Sequence, residues 1–196
     1  MVIYLIRHGE TDWNLQGKLQ GREDIPLNKT GIWQAKVCGN ALQNTKFHCI
    51  QTSPLQRAME TAEIIAFHQN CRVIVNPDLI ERDYGNLSGL SPQKRQEFVR
   101  QGGPDGAEPW EILEKRVIRA INKLADACPE STIAVVSHGA WINALLAVVS
   151  GHEIGSGKTQ LKNACISMLY QEKNKWKIGF YNLTGEDIKN GIPVRI

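Results

Sequence analysis

The run Arg7-His8-Gly9-Glu10-Thr11-Asp12-Trp13-Asn14 places an arginine and a histidine side by side, directly after the apolar stretch Val2-Ile3-Tyr4-Leu5-Ile6. Arginine offers a planar fork of donors that matches phosphate oxygens, and histidine can act as base or nucleophile near neutral pH. Two further segments repeat the arrangement. Thr132-Ile133-Ala134-Val135-Val136 runs into Ser137-His138-Gly139, and Cys49-Ile50-Gln51-Thr52 runs into Ser53-Pro54, with Arg57 one turn further on. A structural ion pair at Arg7 and a rim position for His8 would explain the first segment by itself. Packing does not readily explain three apolar segments that deliver Arg7, His8, Arg57 and His138 to one sheet edge. Such a set suits a phosphate site, since the arginines can meet phosphate oxygens while a histidine stands beside them as base or nucleophile.

These groups need strands to carry them. Runs of β-branched and aromatic residues bounded by charge and glycine suit interior strands, and in open α/β sheets ligands gather beyond the carboxyl ends of such strands. The pattern predicts strands over 2–7, 48–52, 72–76, 132–137, 164–171 and 176–181, with helices over 29–43, 54–68, 91–101, 109–128 and 139–150. Ser53 reads as an N-cap with Pro54 at the first helical position. The helix N-termini after Ser53 and His138 would then offer unpaired N–H groups to an anion. Gly9 would let the backbone turn sharply and approach a ligand closely. Trp110, Leu113, Val117, Ala120, Ile121 and Leu124 form an apolar stripe on the longest helix, which reads as core packing. Glu172-Lys173-Asn174-Lys175 reads as a hairpin turn, so the α/β fold has a mostly parallel sheet carrying an antiparallel edge element.

The 196 residues, 42% of them hydrophobic, are enough for a single domain with a substantial core. Gly102-Gly103-Pro104-Asp105-Gly106 reads as a loop between helices, not a domain boundary. The net charge of +3, without a Lys/Arg cluster interleaved with aromatics, argues against nucleic acid as a partner. Val2 to Ile6 is far too short to span a bilayer, and no charged segment precedes it, so neither a membrane partner nor export is expected. Cys38, Cys49, Cys71, Cys128 and Cys165 form no Cys-x-x-Cys pair, which suggests reduced thiols and a cytoplasmic setting. No metal site is expected, because His48, His68 and His152 are not spaced with thiols or carboxylates as zinc requires.

In order, Arg7-His8-Gly9-Glu10-Thr11, Gln20-Gly21, Pro26-Leu27, Ser53-Pro54-Leu55-Gln56-Arg57-Ala58, Glu81 and Ser137-His138-Gly139 resemble the histidine phosphatase superfamily, also called the phosphoglycerate mutase-like family. The resemblance covers nearly the whole chain. It implies a three-layer α/β/α sandwich, one domain over 1–196 with a lid-like insertion at about 85–108, and a homodimer would be unsurprising. It also implies hydrolysis of a small phosphomonoester, without metal or cofactor, through a phosphohistidine on His8. Arg7 and Arg57 would clamp the phosphate, and their charge should keep His8 neutral. His138 would donate from across the phosphate. Glu81 would be the general acid that later activates water, with Glu108 and Asp83 as alternative carboxylates. Asn14 would bond the phosphate, Gln20, Gly21 and Gly139 would line the pocket, and Glu108 is a further candidate there.

Departures from the family pattern bear on substrate. Leu87-Ser88-Gly89 stands where many small phosphatases of this group carry tryptophan and glutamate before the glycine, and Glu81-Arg82-Asp83-Tyr84-Gly85 is closer to the cofactor-dependent mutases. A mutase is therefore the alternative reading. The stretch between Gly89 and Arg116 is too short for the arginine-bearing insertion of mutases, and Pro92 stands where their lysine is expected. A non-catalytic phosphate binder on the same fold is a third reading, which the joint presence of His8 and Glu81 disfavours. Trp141 reads as packing under the site, with Lys158 and Lys162 at its entrance. Sugar phosphates, phosphoglycerate, phosphoserine and α-ribazole phosphate are all compatible substrates.

Overall fold

Six strands, β1 (Val2–Arg7), β2 (Ile50–Thr52), β3 (Val73–Val75), β4 (Thr132–Ser137), β5 (Ile166–Glu172) and β6 (Lys175–Leu183), form one sheet in the computed structural model, which describes residues 1–191. Their order is β3-β2-β4-β1-β5-β6. The first four strands in that order run parallel, while β5 is antiparallel to β1 and β6 to β5. This is the mostly parallel sheet with an antiparallel edge that the patterning predicts. Its central register matters most for the site. Arg7 pairs with Ser137, so the residues that follow, His8 and His138, leave neighbouring strands side by side.

Among the described residues, seven helices accompany the sheet: α1 (Asp12–Leu15), α2 (Lys29–Ala41), α3 (Gln56–Gln69), α4 (Pro92–Arg100), α5 (Trp110–Ala127), α6 (Gly139–Ser150) and α7 (Gly185–Lys189). Side chains alternate across a strand, and the two faces of the sheet collect different helices. Ile3, Leu5, Ile133 and Val135 pack with Leu113, Val117 and Ile121 of α5 and with Trp141 and Leu145 of α6. Ile6, Ala134 and Val136 pack with Cys38 of α2 and with Ala58, Ala62 and Ile65 of α3. The result is three layers. β4 is buried on both faces from Ile133 to Ser137, as suits an interior parallel strand. Each fully buried Leu, Ile or Val contributes about 1.5–3 kcal/mol relative to exposure.

Some local readings change. α3 starts at Gln56, with Leu55 in the cap position and no side-chain cap, so Ser53 is not the N-cap. The Ser53 hydroxyl is instead 2.7 Å from His138 Nε2. Trp110 is 37% exposed, unlike the buried Leu113, Val117, Ala120, Ile121 and Leu124 that follow it. It belongs to the rim of a cavity rather than to the core. Four short elements escape the sequence patterning: α1, α7 and 3-10 turns at Pro77–Leu79 and Gly85–Leu87. α1 is held by a reciprocal cap between Thr11 and Asn14. The hairpin turn appears as expected, with Lys173 and Asn174 both left-handed (φ 48° and 61°), which is the conformation of a two-residue type I′ turn.

Gly9 serves a different purpose from the expected ligand approach. A Cβ there would lie 2.5 Å from the Gly31 carbonyl oxygen, and a Cβ on Gly31 would lie 2.1 Å from that of Glu10. The two glycines let the loop after β1 lie directly on the first turn of α2. Among the described residues, no helix is long and apolar enough to cross a membrane.

Candidate active site

His8 is 2% exposed, at the carboxyl end of β1. Its Nδ1 lies 2.7 Å from the Gly9 carbonyl. A carbonyl can only accept, so Nδ1 carries the proton and Nε2 keeps its lone pair. Arg57 Nε donates to that Nε2 at 3.3 Å. Burial, followed by the charges of Arg57 and Arg7, holds the His8 pKa well below the ordinary histidine range. The imidazole is therefore neutral near pH 7, with a lone pair on the nitrogen that faces the arginine. His138, fully buried, sits with its ring centroid 5.2 Å from that of His8. Burial, then the charge of Arg57, also drives its pKa well down.

The two arginines are held in different ways. Arg57 is fully buried and donates through Nη1 to the Glu23 carbonyl and through Nη2 to the Gly21 carbonyl, each at 2.7 Å. It straps the 20–23 loop across the site. Burial lowers its pKa to about 10, which still leaves it charged. Arg7 donates through Nη1 to the Leu161 carbonyl. Its Nε and the Nδ1 of His138 are buried without a protein partner. Unsatisfied buried polar atoms are rare and cost about 1–3 kcal/mol each, so a pair of them beside one cavity suits a ligand rich in hydrogen-bonding oxygens.

Glu81 approaches from the other side. Its Oε1 accepts from the N–H groups of Trp141 at 3.0 Å and Arg82 at 2.9 Å, and its Oε2 from Ala140 at 3.2 Å. Oε2, with one bond against two, has more lone-pair capacity left for a proton. The second and third N–H groups of α6, those of Ala140 and Trp141, are thus already occupied by a carboxylate. The start of α3 is treated similarly, since Gln56 N–H donates to Asp24 Oδ1 at 2.6 Å. The expectation that both helix ends stand open to an anion is corrected: each has a carboxylate of the protein on it. Trp141 packs beneath, fully buried, with its indole N–H 3.0 Å from the Asp78 carbonyl.

A cavity of about 610 Å³ gathers these groups. Arg7, His8, Arg57 and Glu81 are on its wall, together with Asn14, Gln20, Gly21 and Gly139. Asn14 Oδ1 accepts from Thr11 N–H and from Asn163 Nδ2, so its own Nδ2 is turned away from those partners. His138 is beside His8 but not among the residues of the wall. Glu108 is not on the wall either. Burial pushes its carboxyl up, but Arg116, bonded at 2.9 Å, outweighs this and pulls it below its ordinary value. Asp83 lies 3.4 Å from Arg22 and accepts from Gly85 N–H. Glu81 is therefore the carboxylate on the cavity wall. Lys158 does line the entrance, whereas Lys162 pairs with Asp187 at 3.4 Å, away from it.

One wall was signalled in the sequence by Lys158 alone. Residues 156–161 complete the cavity, whose lining also includes Tyr84 and Trp110. The segment docks on α6 because Gly155, at φ 99°, lets its backbone approach the Asn143 carbonyl, 2.3 Å from where a Cβ would be. Asn143 Nδ2 donates to the Thr159 carbonyl at 3.0 Å. Arg82 lies over the Trp110 ring, with Cζ 4.1 Å from the centroid.

Residues 3–184 match the family model of the histidine phosphatase superfamily (branch 1). The uncharacterized phosphatase PhoE of Bacillus subtilis (strain 168) is 40% identical over 181 residues, covering 92% of this chain and 94% of PhoE. A protein of Cronobacter sakazakii named "Probable phosphoglycerate mutase GpmB" is 34% identical over 187 residues, covering 89% of this chain and 86% of its own. Among solved structures, the phosphoserine phosphatase of Entamoeba histolytica in complex with 3-phosphoglyceric acid superposes with a TM-score of 0.81 at 28% identity. The match covers 95% of this chain and 98% of that one.

Proposed function

This chain belongs to the histidine phosphatase superfamily (branch 1), and on that basis we propose that it hydrolyses phosphomonoesters of small metabolites through a phosphohistidine on His8. The observation that carries the reading is the state of His8. A buried imidazole, with its proton fixed on Nδ1 by Gly9, presents the Nε2 lone pair beside Arg57 in the cavity that also holds Glu81.

In the first step Nε2 attacks phosphorus and the bond from phosphorus to the ester oxygen breaks. The departing oxygen takes a proton from Glu81. Arg7 and Arg57 offset the charge that spreads over the peripheral oxygens, Asn14 adds a donor, and the neutral His138 adds a hydrogen bond through its unpartnered Nδ1. In the second step the Glu81 carboxylate takes a proton from water, whose oxygen attacks phosphorus. The phosphorus–nitrogen bond breaks, Nε2 recovers its electron pair and inorganic phosphate leaves. Gln20, Gly21 and Gly139 shape the wall around the group being transferred.

Water must reach the phosphoenzyme for this to be a hydrolase. The cavity meets the surface at Gly17, Gly157 and Lys158, all exposed, which favours hydrolysis over retention of the phosphoryl group. Similarity to PhoE and to a phosphoserine phosphatase supports the same reading and small phosphorylated substrates. Similarity to the GpmB protein keeps phosphoglycerate mutation as a second reading. All five cysteines are unpaired, which supports a reducing, cytoplasmic setting.

The test is release of inorganic phosphate, in the presence of a chelator, from phosphoserine, 3-phosphoglycerate and sugar phosphates, with isomerisation of 3-phosphoglycerate followed in parallel. The expected outcome is release that disappears in His8→Ala. Isomerisation without release would make the protein a mutase, and silence in both assays would point to a binding role or to a substrate outside the panel.

A further inference from the structure

Arg116 projects from α5 and engages all five of its guanidinium N–H groups, the full donor capacity of an arginine. Nε and Nη2 meet the two carboxylate oxygens of Glu108 at 2.9 Å each. Nη1 donates to the carbonyls of Asp78 at 3.3 Å and Ile80 at 2.8 Å, and Nη2 donates to that of Glu81 at 3.3 Å. Three carbonyls of one irregular stretch therefore converge on one cation, and Glu108 neutralises it. The pair is shielded from solvent, with side chains 14% and 9% exposed.

The stretch needs such a fixture. Beyond the 3-10 turn Pro77–Leu79, the backbone that carries Glu81 belongs to no strand or helix. The tip of the Glu81 side chain is held by Arg82, Ala140 and Trp141 N–H groups, but its stem is anchored through the neighbouring carbonyls. We infer that Arg116, braced by Glu108, is a positioning residue for Glu81. It sets where the carboxyl stands relative to the departing oxygen without touching the substrate itself. A lysine could not replace it, because a point-like ammonium lacks the planar fork that spans a carboxylate and three carbonyls together. The inference rests on Glu81 being the proton donor of the proposed reaction.

The test compares two leaving groups in Arg116→Lys. Phosphoserine loses an alkoxide that must be protonated, whereas p-nitrophenyl phosphate loses a phenolate stable enough to leave as the anion. Misplacing a proton donor by about 1 Å costs on the order of 10²-fold. The expected result is that kcat/KM falls by about that factor for phosphoserine and by less than about threefold for p-nitrophenyl phosphate. Hydrogen exchange gives a readout independent of turnover. The amides of Ala140 and Trp141 should exchange faster in the variant, because the carboxylate that covers them is no longer seated, while β4 amides keep their rates. Glu108→Gln, which keeps an acceptor but removes the neutralising charge, should show the same bias more weakly, and it replaces Arg116→Lys if that variant does not fold. Equal losses on both substrates, or unchanged exchange at both amides, would overturn the inference. If the wild-type protein releases phosphate from neither ester yet the two amides loosen, the phosphatase reading falls and the positioning of Glu81 by Arg116 stands.

Discussion

Mild acid should destabilise the fold through its two buried imidazoles. His8 and His138 are 2% and 0% exposed, and both pKa values lie well below the ordinary range, with burial the largest cause and Arg57 the next. In the unfolded chain each ring takes up a proton near pH 6.5, whereas the folded rings stay neutral to lower pH. Below about pH 6.5 the unfolded chain therefore binds more protons, and the free energy of unfolding falls as pH falls. The stability contributed by the neutral rings is complete above the unfolded pKa and is lost as pH drops towards the folded values. One differential proton is worth about 1.4 kcal/mol per pH unit, so the two rings together approach a slope of about 2.8 kcal/mol per unit near pH 5. Glu108 adds to acid sensitivity only further down, because its ordinary value is 4.5 and its folded value is lower still. The assay is urea denaturation at intervals from about pH 7 to about pH 5, on the wild type and on His8→Gln and His138→Gln. Each variant should lose about half of the slope. Wild-type slopes in both variants would refute the claim that the folded rings are neutral.

Gly139→Ala should separate folding from ligand binding. A Cβ there would stand 3.5 Å from Arg7 Nε and 3.9 Å from Nη2, an ordinary contact that leaves the fold intact but covers the edge of the guanidinium. Inhibition by inorganic phosphate should weaken by roughly 10–100-fold, the worth of one charge-assisted hydrogen bond, with the urea midpoint unchanged. Gly31→Ala should instead act on stability, because its Cβ would lie 2.1 Å from the Glu10 carbonyl oxygen. The backbone must shift, and a loss of about 1–3 kcal/mol is expected in the same denaturation assay.

Elements held by their own sequence pattern were legible. β1 and β4 occupy the predicted spans, and α6 covers the predicted 139–150, because each is an unbroken apolar run closed by charge, glycine or a helix signal. Arg7, His8, Arg57 and Gly139 could be placed for the same reason, since each leaves the end of such a run or starts the helix after it. What escaped is held by tertiary contact. The 156–161 wall is docked on α6 by the close backbone approach at Gly155, and apart from Lys158 nothing in its own residue pattern points to a cavity. Trp110 satisfies the helical period, yet α5 extends past the edge of the core before reaching it, so period alone placed it wrongly. Ser53 has the chemistry of a cap, but a buried histidine competes for its hydroxyl. Glu108 was drawn away from the cavity by Arg116, a partner eight positions along the chain on α5, whereas Glu108 itself lies before that helix begins.

The carboxylates of Asp24 and Glu81 on the two helix ends bear on how the catalytic cycle closes. An open helix N-terminus favours a bound anion by about 0.3–1 kcal/mol, and up to about 2 kcal/mol where it is partly buried. Here that attraction is already met by the protein before any phosphate arrives. Asp24 meets the α3 end throughout the cycle, whereas Glu81, which holds a proton once water has attacked, no longer neutralises the α6 end when inorganic phosphate forms. The axial pull on the product therefore comes from one helix rather than two.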